Sequence, residues 1–151
     1  MTDVRLEPMT EDQYRPWRAA EEAHYAQSLA AAGQSAQEAA RESAGTYAEL
    51  LPHGLATPDN HLWYAYDGAR RVGFLWIKVT RGTAFVYNVA VEPDVRRRGY
   101  GRAIMLAGER WCRDNAVTRI GLQVFAHNPG ARALYEQLGF VETARRMAKD
   151  L

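Results

Sequence analysis

Between residues 61 and 91, three runs of largely apolar residues, HLWYAY, RVGFLWIKV and AFVYNVAV, are separated only by the short turns DGAR and TRGT. Runs rich in valine, tyrosine, phenylalanine and tryptophan, joined by tight glycine-containing turns, pair as antiparallel neighbours, so this part of the chain reads as a meander. In the middle run, alternation places Phe74 and Trp76 on one sheet face and Leu75, Ile77 and Val79 on the other.

The texture is helical before the meander. Val4 to Pro8 suits a short strand, after which Thr10 and Gln13 stand at capping-box spacing and open a helix with the stripe Tyr14, Trp17, Glu21, His24, Tyr25 and Leu29. Gly33 can end it. Ser35 and Glu38 form a second box leading into a helix with the stripe Ala40, Ala44, Tyr47 and Leu51, followed by a loop containing Pro52, Gly54 and Pro58. After Pro93 the pattern predicts a helix from about Gly99 to Asn115, a strand RIGLQVF, a helix opened by Asn128 and Pro129, and a final strand from Phe140. A strand, helix and strand at this spacing imply a right-handed crossover with parallel pairing. The expectation is a mixed α+β fold in one domain, residues 1–151, with no repeat or linker.

Composition removes several classes of function. Basic residues exceed acidic ones by one over the whole chain, which gives no reason to expect a nucleic acid or a membrane as partner. A single cysteine, Cys112, can form neither an intrachain disulfide nor a cysteine-rich zinc site. The four histidines, His24, His53, His61 and His127, show no HxH or HExxH spacing, so no metal is expected. The N-terminal MTDVRLEPMTEDQ has no apolar signal-peptide core, and no apolar run approaches the roughly 18 residues of a membrane span, which points to a cytoplasmic protein.

Against that near-neutral background, the seven residues Arg96 to Arg102 hold four arginines and two glycines at the start of a helix. A helix N-terminus offers unpaired N–H groups and partial positive charge. Gly99 and Gly101 allow a ligand to approach the backbone closely, and Arg96, Arg97, Arg98 and Arg102 can engage several phosphates. No GK[ST] follows and the third glycine of a dinucleotide fingerprint is missing, which disfavours ATP and NAD. A solvated basic turn fits the loop taken alone about as well.

A second segment, HNPGARALYEQLGF from His127 to Phe140, decides between them. Together the two segments resemble the GNAT superfamily of acyl-CoA-dependent N-acyltransferases. Arg96-x-x-Gly99-x-Gly101 matches its pyrophosphate loop, and Asn128-x-x-Ala131-x-x-Leu134-Tyr135 with Gly139-Phe140 matches its second cofactor motif. The resemblance implies a central, mostly antiparallel mixed sheet, splayed between its fourth and fifth strands and flanked by helices. It further implies acetyl-CoA as cofactor, a cofactor core over about residues 84–140 and an acceptor side over about residues 9–52. Val89, Ala90 and Val91 would offer backbone groups to the pantetheine arm. Arg96, Arg97, Arg98, Gly99, Tyr100, Gly101, Arg102 and Ala103 would surround the phosphates. Asn128 and Ala131 would complete the cofactor site, and Tyr135 would sit near the thioester sulfur.

Transfer from a thioester to an amine needs a neutral amine, yet an alkyl amine of pKa about 10.4 is protonated near pH 7. Many members of the superfamily place an acidic residue on the fourth strand. Here the corresponding positions are Tyr87 and Asn88, and Asn88 can orient an amine or water but cannot accept a proton. A base would have to come from elsewhere, with Glu21, Glu22, His24 and His61 as candidates. Tyr25, Trp76 and Tyr87 are the aromatic residues expected to line the acceptor pocket, with core packing the competing use of their rings. The expected function is acetyl transfer from acetyl-CoA to a primary amine of a small molecule or peptide. The absent strand carboxylate keeps a non-catalytic acyl-CoA sensor as the alternative, and a homodimer stays open.

Overall fold

The three apolar runs form strands β2 (Asn60–Asp67), β3 (Arg70–Thr80) and β4 (Thr83–Val91), which pair antiparallel in chain order. The computed structural model describes residues 3–124 and 128–151. The connection from β3 to β4 is a two-residue turn with positive φ at both Arg81 (52°) and Gly82 (76°), the turn whose twist matches that of the flanking strands. β1 (Arg5–Pro8) adds antiparallel to β2, and β5 (Arg119–Leu122) adds parallel to β4, completing a five-stranded mixed sheet in the order β1-β2-β3-β4-β5.

Helices α1 (Glu11–Ala31) and α2 (Ala36–Leu50) connect β1 to β2, and α3 (Tyr100–Asp114) connects β4 to β5. The Thr10 capping box is closed in both directions, Thr10 accepting from the Gln13 N–H and Gln13 from the Thr10 N–H. Cross-strand partners share a sheet face. One face presents Leu62, Tyr64, Phe74 and Trp76 to Tyr14, Trp17, Tyr47 and Leu51 of the first two helices. On the opposite face Leu75 and Ile77 are fully buried, and α3 approaches so closely that a Cβ on Gly108 would stand 2.8 Å from the Leu75 side chain.

Two expectations fail. On α2 Tyr47 faces inward, as does Leu51 at its C-cap, but Ala40 and Ala44 are exposed and the buried stripe is Ala39, Ser43 and Tyr47. The phase moves by one residue because a serine holds a core position, its hydroxyl satisfied by donation to the Glu22 carbonyl at 2.6 Å. Likewise, no strand begins at Phe140. Residues 141–151 lie outside helix and strand and are exposed, with Arg145 bonded to nearby Glu142 at 2.9 Å rather than supported by a backbone ladder.

The chain divides into two compact units, Met1–Gly121 and Leu122–Leu151. Within the second, α4 (Pro129–Gln137) is closed at both ends. Asn128 Oδ1 accepts from the Ala131 N–H at 3.2 Å. At the other end Gly139 (φ 94°) lets Gly139 and Phe140 donate to the Glu136 and Tyr135 carbonyls, both at 3.0 Å, while the Phe140 ring meets Tyr135. The predicted RIGLQVF strand is formed only as far as Leu122, and its last residue, Phe125, lies outside the described residues, as does His127. Among the described residues no helix is long and apolar enough to cross a membrane.

Candidate active site

The loop between β4 and α3 is braced before it reaches the helix. Val95 is buried, Arg71 pairs with Glu92 at 3.2 Å, Arg70 pairs with Asp94 at 2.5 Å, and Arg96 Nε donates to the Val91 carbonyl at 3.3 Å. Two residues then take the left-handed conformation, Arg97 (φ 63°) and the N-cap Gly99 (φ 83°). Glycine has no side chain with which to cap, and the first helical bond runs from the Ala103 N–H to the Gly99 carbonyl at 3.1 Å. The N–H groups of Gly101 and Arg102 therefore leave the helix start without an intrahelical acceptor. Arg96, Arg97, Arg98 and Arg102 are exposed around them.

Not every residue of this stretch faces a ligand. The Tyr100 side chain is buried and its hydroxyl donates to Asp67 at 2.5 Å, so it ties α3 to the end of β2. Ala103 is also buried, its N–H already used. Of the remaining expected cofactor residues, Val89, Ala90 and Val91 pair with Leu75, Phe74 and Gly73 of β3. On its other side β4 is met by a much shorter strand, which begins beside the start of β4, where the Thr118 N–H donates to the Gly82 carbonyl at 2.9 Å, and ends at Leu122.

A bulge shapes the middle of β4. Val86 opposes Ile77 and Asn88 opposes Trp76, so Tyr87 is an extra residue inserted between two partners of β3. Asn88 thereby shares the Trp76 face, where α1 and α2 pack. Glu21 meets it there. Asn88 Nδ2 donates to Glu21 Oε1 at 3.0 Å, joining α1 to β4 across 67 residues of sequence. Burial pushes the Glu21 carboxyl above its usual range, against the stabilising effects of the Asn88 bond and of nearby His24. Tyr47 closes the group from α2, its hydroxyl held well above the ordinary tyrosine range by burial and by the charges of Glu21 and Glu22.

The other candidate bases lie elsewhere. Glu22 pairs with Arg18 at 2.9 Å, His24 is exposed, and His61 clusters with Trp63 and Trp111 on the opposite sheet face. Among the expected acceptor-side aromatics, Trp76 is 2 % exposed, and its indole N–H donates to Asn60 at 2.9 Å, which places it in the core. Tyr87 stacks on Trp76 with ring centroids 4.9 Å apart and remains half-buried. Tyr25 is exposed on α1. Within the second unit Tyr135 is half-buried, and burial pushes its hydroxyl up from the ordinary value. The signal for Glu21 was present in the helical spacing of Tyr14, Trp17 and Glu21, which puts all three on one face.

The model of the acetyltransferase (GNAT) family matches residues 9–140. Over 154 aligned positions the chain is 35 % identical to the uncharacterized N-acetyltransferase YycN of Bacillus subtilis (strain 168), covering 98 % of this chain and 99 % of that protein. The crystal structure of that acetyltransferase superposes with a TM-score of 0.89 at 34 % identity, with 98 % of each chain covered. The ribosomal-protein-S18-alanine N-acetyltransferase of Escherichia coli shares the fold at a TM-score of 0.65 and 23 % identity, over 93 % of this chain and 79 % of that one. AAC(6')-Iy, solved in complex with a bisubstrate analog, CoA-S-monomethyl-acetylneamine, shares the fold at a TM-score of 0.63 and 16 % identity, over 99 % of both chains.

Proposed function

Because the chain belongs to the acetyltransferase (GNAT) family, we propose that it transfers an acetyl group from acetyl-CoA to a primary amine of a small molecule or peptide, by direct attack in a ternary complex. The observation that carries this reading is the uncapped start of α3, set directly behind a braced loop at the end of β4. Its fit to a pyrophosphate rests on three features: two N–H groups without intrahelical acceptors, a left-handed N-cap glycine that keeps side chains clear of them, and exposed arginines on either side. Gly101 and Arg102 would supply the N–H groups, Arg96, Arg97, Arg98 and Arg102 the charge, and Val89 to Val91 the backbone for the pantetheine arm. When bound, the donor supplies a thioester whose carbonyl accepts the amine and whose thiolate leaves.

Calorimetric titration with coenzyme A tests the cofactor, and thiol release over a panel of amines tests the reaction. No binding at millimolar coenzyme A would remove the reading altogether. Thiol release with none of the amines, despite tight binding, would leave a sensor in place of an enzyme.

The leaving thiolate, with a conjugate pKa of about 8.5, needs a proton, and Tyr135 is the residue assigned to it. Burial raises its hydroxyl, so Tyr135 stays neutral near pH 7 and acts chiefly as a hydrogen-bond donor to the charge growing on sulfur. Tyr135→Phe keeps the ring and its contact with Phe140 while deleting the hydroxyl. Turnover is expected to fall at least tenfold, with coenzyme A affinity changed by no more than a few fold. Parental turnover from pH 6 to 9 would make Tyr135 a structural residue.

No step of this chemistry calls on a metal. Among the described residues no group of three or more His, Cys, Asp or Glu side chains is placed to hold one. Activity is expected to survive exhaustive treatment with a chelator, and loss of activity restored by zinc would show otherwise.

A further inference from the structure

We propose that Glu21 is the carboxylate that takes the proton from the acceptor's ammonium group, and that Asn88 is the positioning residue that holds it at the β4 bulge. This assignment rests on the acetyl-transfer reading and places on α1 a task for which β4 has no carboxylate. Position is the first argument. Tyr14, Trp17 and Glu21 share one helical face, so the packing that buries Tyr14 and Trp17 against the sheet delivers Glu21 to the strand. The bulge at Tyr87 supplies the other half, turning Asn88 onto that same side.

Chemistry is the second argument. The charged and titratable groups around Glu21 are His24 from its own helix, Tyr47 from α2, Tyr64 from β2 and Glu92 beyond the end of β4, while the neutral Asn88 amide donates to it. Tyr47 is kept protonated by burial and cannot serve as base. Partial burial raises the Glu21 carboxyl and so makes its carboxylate a stronger proton acceptor than an ordinary glutamate, while the Asn88 N–H keeps one oxygen addressed. Tyr87, half-buried and stacked on Trp76, provides an aromatic ring of the kind that attracts an alkylammonium.

The step balances without a further reactant. An ammonium R–NH3+ passes one proton to the Glu21 carboxylate. The freed lone pair forms the C–N bond to the acetyl carbonyl carbon and the C–S bond breaks. A second nitrogen proton ends on the departing thiolate, and the Glu21 proton returns to solvent.

The test measures kcat against pH on the full chain, with an alkylamine taken from the panel, for the parent, Glu21→Gln and Asn88→Ala. Coenzyme A affinity by calorimetry and the melting temperature are followed in parallel. Glu21→Gln is expected to lose at least tenfold in kcat at pH 7 and to regain it progressively as the pH approaches and passes about 10.4, where an alkylamine loses its proton unaided. Its coenzyme A affinity should stay within a few fold of the parent. Asn88→Ala removes a donor that favours the charged carboxyl, so the acid limb of its kcat profile should move to higher pH.

Folding gives an independent reading. A carboxyl whose folded pKa is raised favours the native state only while protonated, so its ionisation costs stability as pH rises through the folded value. Glu21→Gln should therefore melt at or above the parent near pH 7.5, the difference vanishing below the usual carboxylate range. Parental kcat in Glu21→Gln at pH 7, or a loss that is the same at every pH, would overturn the role of Glu21. Thiol release by no amine in the parent itself would overturn the enzymatic reading and this assignment with it.

Discussion

Replacing Gly73 with alanine is expected to cost the fold about 3 kcal/mol and to disturb β4, the proposed cofactor strand, in the same stroke. An added Cβ would stand 2.2 Å from the Ala90 carbonyl oxygen and 2.8 Å from the Ile104 side-chain methyl. The methyl group can turn aside. The carbonyl cannot, because Ala90 lies in β4 and pairs with Phe74, so relief requires β4 to move away from β3. For a protein of this size, about 3 kcal/mol corresponds to a fall of roughly 6 to 12 °C in melting temperature. Ala90 is flanked by Val89 and Val91, the proposed backbone partners of pantetheine, so coenzyme A affinity should fall too. Gly45→Ala is the matching control: Gly45 lies in α2 with open space where a Cβ would stand, and helix propensity alone should raise stability by up to about 1 kcal/mol. Equal melting of Gly73→Ala and the parent would show that the β3–β4 approach is looser than described.

Gly101→Asp should raise the dissociation constant of coenzyme A at least tenfold without weakening the fold. Gly101 is the second residue of α3 and its N–H has no intrahelical acceptor. An aspartate there favours the helix, since a negative charge near the N-terminus complements the backbone dipole by about 0.3 to 1 kcal/mol. The same charge repels a pyrophosphate and competes for the N–H groups that would bind it, where each charge-assisted hydrogen bond is worth about 1.5 to 3 kcal/mol. Stability and affinity thus move in opposite directions, which separates loss of a binding site from loss of structure. Pantetheine fragments lacking phosphate should bind both proteins alike. A folded Gly101→Asp protein with parental affinity would remove the loop from the cofactor site.

What could be read from the sequence was set by interactions spanning a few residues. The TRGT turn needs positive φ at two positions, and Arg81 and Gly82 adopt it. Thr10 and Gln13 close a capping box, Asn128 caps α4, and Gly139 with Phe140 ends it, each within a helical turn or two. Gly99 as N-cap of a helix with an open start follows from the same local chemistry. The family resemblance, carried by the arginine-glycine loop and the Asn128 to Phe140 motif, also lies in short segments whose spacing is visible in one dimension.

Tertiary structure decided everything that depends on which side of an element faces which partner. The inward face of α2 is one residue out of phase with its alanines because Ser43 finds the Glu22 carbonyl, a partner 21 residues away. Tyr100, which sits within a basic loop in the sequence, turns to Asp67 at the end of β2. Phe140 begins no strand, because a strand exists only through its neighbour and alternation cannot supply one. Glu21 and Asn88 meet because the bulge at Tyr87 fixes the face of Asn88 and the burial of Trp17 fixes that of α1. A one-residue change in the phase of either element would turn its side chain away, and periodicity along the chain carries no information about the meeting of residues 67 positions apart.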